Sequence, residues 1–238
     1  MRYIKKSSVE PDCMREYKAE CRRLRIAEPL LYKDFNRSSE LKAVLCREQQ
    51  NVCCYCQRSV KGFRIEHSYP ENGPDKSKSV SLQLDYSNLF ASCIDSQRRP
   101  PELQYCDVAK GNKVIREFIK ECNCQHYFRY LSTGEIIPNG RFYTLSEYTA
   151  AASSLPKDEK DALDAIQTLN LNCPTLKEER KQCIDILLTL LNKKSEEEWE
   201  QTINSWLKTD TLPPYIELRI QYITNYINRQ PPAMETLA

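Results

Sequence analysis

Apolar positions recur with a helical period in two stretches near the N-terminus, and again through most of the chain after residue 145. Residues 12–25, DCMREYKAECRRLR, read as a short basic helix, and residues 37–51 as a second. In the second, Leu41, Val44, Leu45 and Glu48 share one face, and Ser38 or Ser39 is placed to cap the start. CCYC at 53–56 breaks the pattern. After 145, helices are predicted over 157–169, 175–192, 195–208 and 213–229. Pro156, Pro174 and Pro213-Pro214 sit at their starts, where a missing N–H costs no hydrogen bond.

The middle of the chain has a different texture. VKGFRIEHSYP (60–70) predicts a short extended segment with a turn at Lys61-Gly62, and 71–80 predicts a polar loop. LQLDYSNLFASC (82–93) begins extended and predicts a helix from about Ser87 or Asn88. Residues 94–105 form an irregular insertion with a double proline, and 108–121 start irregular and become helical. A hairpin is predicted over 126–137, turning at Ser132-Thr133-Gly134 between aromatic and β-branched residues. The last residues, QPPAMETLA, read as a loose tail. The order predicts an α+β protein in three parts: N-terminal helices over 1–50, a cysteine-rich α+β core over 51–144, and an all-helical region over 145–238. No internal repeat is found.

Composition narrows the class. The 238 residues are 40% hydrophobic and 29% charged, as in an ordinary globular chain. No apolar run approaches 18 residues, and the N-terminus has no apolar segment of a secretory signal, so a cytoplasmic location is expected. Twelve cysteines are many for a reducing compartment, where clustered thiols point to metal rather than disulfides. The net charge of +2 hides an asymmetry. Residues 1–141 hold 25 Lys and Arg against 18 Asp and Glu, a net of +7, and residues 142–238 hold 10 against 15, a net of −5. A basic front half suits a polyanion such as nucleic acid, although the same excess also arises from solvated helix faces.

Cys53 and Cys56 are spaced to hold two corners of a zinc tetrahedron from one tight turn. The other two corners have two candidate sources: Cys93 with Cys106, or Cys122, Cys124 and His126 in ECNCQH. Cys13, Cys21, Cys46, Cys54, Cys173 and Cys183 read as core thiols. The chain has two histidines. One of them, His67, follows Glu66 in RIEHSYP. A histidine is usually a structural hydrogen-bonder, but one beside a hard carboxylate suits hydrolysis assisted by a divalent cation. The carboxylate takes the ion, and the imidazole takes a proton from water. The CxxC upstream, Asn88 in DYSNLF and Cys106-Asp107-x-x-Lys110 downstream strengthen that reading.

The order C-x-x-C, [DE]-H-x-x-P, N-L and C-D-x-x-K resembles the HNH nucleases that carry a structural zinc. The resemblance implies a ββα-metal core in which a strand pair and a helix clamp one divalent cation, Mg²⁺ or Mn²⁺. By position it makes His67 the general base, gives Glu66 and Asp107 the ion, and has Asn88 fix the loop that orients the base. It assigns a structural Zn²⁺ to Cys53, Cys56, Cys93 and Cys106 and matches Lys110 to its trailing lysine; by charge, Arg64, Lys110 and Lys113 read as candidate phosphate contacts, although a charged residue is usually just solvated. Two departures stand out: the last signature residue, Asp107, is Asp rather than His, and IDSQRRPPELQ stretches the second cysteine pair. Longer segments, above all IQTLNLNCPTLKEER (166–180), resemble the nuclease component of Septu-type anti-phage systems (PtuB), including retron-linked ones. That resemblance implies a bacterial protein with an ABC-type ATPase partner (PtuA) and, in retron versions, a reverse transcriptase with its RNA-linked DNA. It implies DNA as substrate, while a structured RNA such as tRNA is open to the same chemistry. A zinc-stapled binding module that cuts nothing is the competing reading. The acidic helical region reads as the partner-docking part. Trp199 and Trp206, seven apart on one helix, read as core residues, the alternative being an exposed stripe facing the ATPase.

Overall fold

A computed structural model describes residues 1–59 and 62–228. Strand β1 (Phe63–His67) pairs antiparallel with β2 (Leu89–Cys93), with Phe63 opposite Cys93 and His67 opposite Leu89. Helices α1 (Asp12–Arg23) and α2 (Ser38–Glu48) lie on one side of this ribbon. Met14, Tyr17, Leu41 and Leu45 bury there against Ile65, Leu89 and Ala91. Phe90, on the opposite face of β2, and Cys93, at its end, join a second cluster built from the CCYC turn, Tyr105, Cys106 and Phe118. The fold is therefore mixed, with helices around small antiparallel sheets.

Burial on both sides explains where the sequence pattern misled. All five residues of β2 are buried, so the period-two alternation of a half-exposed strand is absent from LFASC. A strand stands where a helix from Ser87 or Asn88 was predicted. The helix lies earlier, as α3 (Lys76–Leu82) within the supposed polar loop, and the Asp75 carboxylate accepts from the Lys78 N–H at 3.0 Å to cap it. Residues 108–121 are reversed in the same way. The helical turn α4 (Asp107–Lys110) comes first, and a single 3₁₀ turn, Phe118–Lys120, comes last. Gly111, at φ +52, ends α4 in a conformation that a residue with a Cβ adopts at a cost. In α2 the N-cap is Arg37 with no side-chain bond, so neither serine caps that helix. The turn expected at Lys61-Gly62 and the tail after 228 fall, wholly or in part, outside the described residues.

The second sheet is the expected hairpin, β3 (Phe128–Tyr130) with β4 (Ile136–Pro138). At its turn Gly134 has φ +79, and a Cβ there would stand 2.1 Å from the Lys177 carbonyl oxygen, so no other residue fits without moving the helix that carries Lys177. Then come α5 (Leu145–Ala150), α6 (Lys157–Thr168), α7 (Pro174–Leu191), α8 (Glu196–Lys208) and α9 (Ile216–Ile227). The last starts later than 213 because Tyr215 is left-handed at φ 57. Trp199 is buried and donates its indole N–H to the Leu191 carbonyl at 3.0 Å, and Trp206 packs partly buried beside Ile203 and Leu207. Ala162, Ile166, Leu176 and Leu218 share the cluster that holds the CCYC turn. No helix of the described residues is long and apolar enough to cross a membrane.

Candidate active site

Four cysteines from three segments meet beneath the ribbon. Cys53 and Cys56 lie on a tight turn closed by Gln57 N–H to the Cys53 carbonyl at 3.1 Å. Cys93 ends β2, and Cys106, at φ 59, precedes α4. All four are buried, and their sulfurs lie within 4.8 Å of one another. The Cys53–Cys106 and Cys56–Cys93 separations are both 3.8 Å. A tetrahedral ion bound at about 2.3 Å by four sulfurs sets them about 3.8 Å apart, so this donor set fits zinc. The Cys93 backbone N–H points at the Cys53 sulfur at 3.4 Å. Although burial opposes it, hydrogen bonds from the neighbouring thiols, Cys106 first, hold the Cys53 thiol well below its usual range. Cys122, Cys124 and His126 form no such cluster among the described residues, with Cys122 exposed and Cys124 buried.

The insertion that stretches the second pair is tied shut locally. Ser96 Oγ accepts from the Tyr105 N–H at 3.0 Å and donates to the Tyr105 carbonyl at 3.1 Å, closing the loop's two ends. The connection between α6 and α7 then clamps it. Asn170 donates to the Glu102 and Gln104 carbonyls at 3.0 and 2.7 Å, and the Cys106 N–H donates to the Leu169 carbonyl at 2.9 Å. Asn172 exchanges two bonds of 2.8 Å with the backbone of Ile136, and buried Arg180 donates to the Gly134 and Leu171 carbonyls. The LNLN-to-Arg motif thus holds Cys106 and the hairpin in place.

Above the cysteines, Glu66 is 2% exposed. Its Oε1 accepts from the Tyr55 hydroxyl at 2.7 Å and from the Lys110 ammonium at 2.5 Å. Burial, and next a carboxyl contact with Asp107, raise Glu66 well above the usual carboxylate range, against the pull of Lys110. Asp107 in turn pairs with Arg64 Nε at 2.8 Å. Glu66 and Asp107 are hard oxygen donors of the type that suits a divalent ion taking one or two carboxylates and keeping its remaining positions for water and phosphate. Lys110, read from the sequence as a phosphate contact, is instead 1% exposed, with its ammonium on Glu66 and on the His67 carbonyl at 2.8 Å. Its long stem is covered by the packing around α4, which leaves no route to a substrate. Arg64 and Lys113 reach solvent.

His67 follows Glu66 at the end of β1 and is 6% exposed. Its Nε2 lies 3.1 Å from the Gln83 carbonyl. A carbonyl only accepts, so Nε2 carries the proton and Nδ1 presents its lone pair. The nearest carboxylate to Nδ1 is Glu71, 4.0 Å away, and the Tyr32 ring packs edge-on at 4.7 Å. Burial above all lowers the His67 pKa to about 4, with the Gln83 carbonyl opposing, so the ring is neutral at neutral pH. Asn88 is fully buried. Its Oδ1 accepts from the Tyr69 N–H at 2.7 Å, and its Nδ2 donates to the Tyr69 and Leu82 carbonyls at 3.0 and 3.2 Å. The Ser68 N–H reaches the Asn88 carbonyl at 2.9 Å. Asn88 therefore pins the chain immediately after His67. Sequence reasoning missed Tyr55, Tyr32 and Gln83. Tyr55 lies inside CCYC and offered no spacing of its own, and Gln83 acts through its backbone, which leaves no side-chain signal.

No protein-family model matches the chain. It is 27% identical over 163 residues to "Retron Vc95 putative HNH endonuclease" of Vibrio cholerae serotype O1 biovar El Tor, a match covering 68% of this chain and 71% of that one. The similarity supports an HNH nuclease.

Proposed function

We propose that this protein is an HNH endonuclease that hydrolyses phosphodiesters in nucleic acid. One observation carries the reading: a buried neutral imidazole with its Nδ1 lone pair unused stands at the end of a strand pair, next in chain to a buried carboxylate held by Tyr55 and Lys110. His67 Nδ1 takes the proton of a water aligned for in-line attack on phosphorus. Gln83 and Asn88 hold that ring and its loop, so little reorganisation precedes the transfer. Glu66 and Asp107 would hold the divalent cation. Bound there, Mg²⁺ or Mn²⁺ neutralises charge on the phosphate oxygens and on the leaving oxygen. Lys110 and Tyr55 fix Glu66, and Arg64 beside Asp107 faces the incoming backbone. The cysteine cluster, with zinc, supplies folding energy.

The finer reading makes the chain the effector of an anti-phage defence system of Septu type, working with an ABC-type ATPase. The retron description of the similar Vibrio protein supports a retron setting, with a reverse transcriptase and its RNA-linked DNA as further partners. The acidic region from 145 is the proposed docking part. The test is cleavage of plasmid DNA and, separately, of total RNA by the chain and by its complex, with Mg²⁺, with EDTA and with His67→Ala. Magnesium-dependent cutting lost in His67→Ala is expected, and the pool that is cut names the substrate. Binding without any cutting, in chain and complex alike, would leave the zinc-stapled binding module as the better account.

A further inference from the structure

Both donors on Glu66 hang from segments that carry the cysteine ligands. Tyr55 lies between Cys53 and Cys56 and is 3% exposed, so the turn that brings those two sulfurs together also aims its hydroxyl. Lys110 follows Cys106 by one helical turn, its N–H donating to the Cys106 carbonyl at 2.9 Å. With Oε1 of Glu66 taken by these two donors, Oε2 is the oxygen left for an ion. We infer that Tyr55 is a positioning residue: it transmits the geometry of the cysteine cluster to Glu66 and so sets how tightly the catalytic cation is held.

This rests on the reading of Glu66 as a ligand of that cation. Lys110 supplies charge from α4, with its ammonium shared between Glu66 and the His67 carbonyl at 2.8 Å. Tyr55 reaches Glu66 from a rigid ring wedged between two ligand positions, so it selects one carboxylate orientation. Partners behind a ligand that orient it typically change metal affinity by tenfold or more.

The test uses the full zinc-loaded chain and Mn²⁺ as the probe, with free Mn²⁺ read by electron paramagnetic resonance and zinc counted per chain. Glu66→Gln is expected to weaken Mn²⁺ binding strongly. Tyr55→Phe is expected to weaken it about tenfold while zinc content stays at the wild-type level. Tyr148→Phe removes a buried hydroxyl from a separate cluster and is expected to bind as wild type. If Tyr55→Phe binds Mn²⁺ like wild type while Glu66→Gln does not, the role of Tyr55 is overturned and the nuclease reading stands. If Tyr55→Phe loses zinc or its fold, or Tyr148→Phe weakens binding equally, the hydroxyl is only structural and the inference fails. If Glu66→Gln binds as wild type, the ion site itself is misassigned and both readings fall.

Discussion

Arg180→Met tests whether the loop between α6 and α7 is the clamp that closes the cysteine site. Arg180 is 1% exposed. It donates through Nε to the Gly134 carbonyl at 2.6 Å, and through Nη2 to the Leu171 carbonyl at 2.5 Å and to Asn172 Oδ1 at 3.2 Å. All three acceptors are neutral. A hydrogen bond to a charged group contributes about 1.5–3 kcal/mol net, so three would total roughly 4–9 kcal/mol. Methionine fills most of the volume, and the cost of burying a cation without a carboxylate disappears, which offsets part of that. The balance is a loss of about 3–5 kcal/mol, large against the roughly 5–15 kcal/mol that holds a domain together. Urea unfolding followed by tryptophan fluorescence would read it as a lower midpoint at unchanged slope. Zinc should also leave Arg180→Met faster, because Asn172 and the Leu169–Cys106 bond lie on the same connection. An unfolding free energy within about 1 kcal/mol of wild type, or an unchanged rate of zinc release, would show that the loop is held by its apolar packing and that the polar clamp is incidental.

Three shorter predictions follow from the same geometry. One zinc per chain is expected, lost in Cys93→Ser and retained in Cys122→Ser, since only the former belongs to the four-sulfur group; elemental analysis of the purified variants decides between this and the ECNCQH alternative. Asn88→Asp replaces a buried amide donor by an oxygen facing the Tyr69 and Leu82 carbonyls, so a loss of about 3 kcal/mol in stability and at least tenfold in cleavage is expected, read by thermal melting and plasmid nicking. At the start of α8, bonds from the Ser195 backbone and then its hydroxyl hold the Glu198 carboxylate below its ordinary pKa of 4.5. The contribution of this capping box is therefore complete above that value and fades as pH falls through the depressed one, so protection of the first-turn amides of α8, taken relative to their intrinsic exchange rates, should fall as pH drops below 4.5. Glu198→Gln should flatten that dependence.

The helices after 145 were legible because each carries its own signals: a period of 3.6, a proline or serine at the start, and a capping box such as Ser195 with Glu198. The hairpin was legible for a similar local reason, since Gly134 marks a turn only glycine can make there. The order of Cys53, Glu66, His67, Asn88, Cys106 and Asp107 suggested the proposed chemistry from the sequence, because residues that bind metal or act as a general base must be of those types whatever surrounds them. What sequence could not decide is what each residue faces. Leu89–Cys93 is a strand because clusters on both sides of the ribbon bury it, and those partners come from residues 12–48 and from 53 to beyond 160. Cys93 and Cys106, with twelve residues between them, became one half of a site only through Ser96, Tyr105, Asn170 and the Leu169 carbonyl. Lys110 looks like a surface cation in the sequence and turns out to be the buried counter-charge of Glu66. Local propensity is written along the chain; burial and pairing depend on residues far away in it, and they emerge only when the core closes.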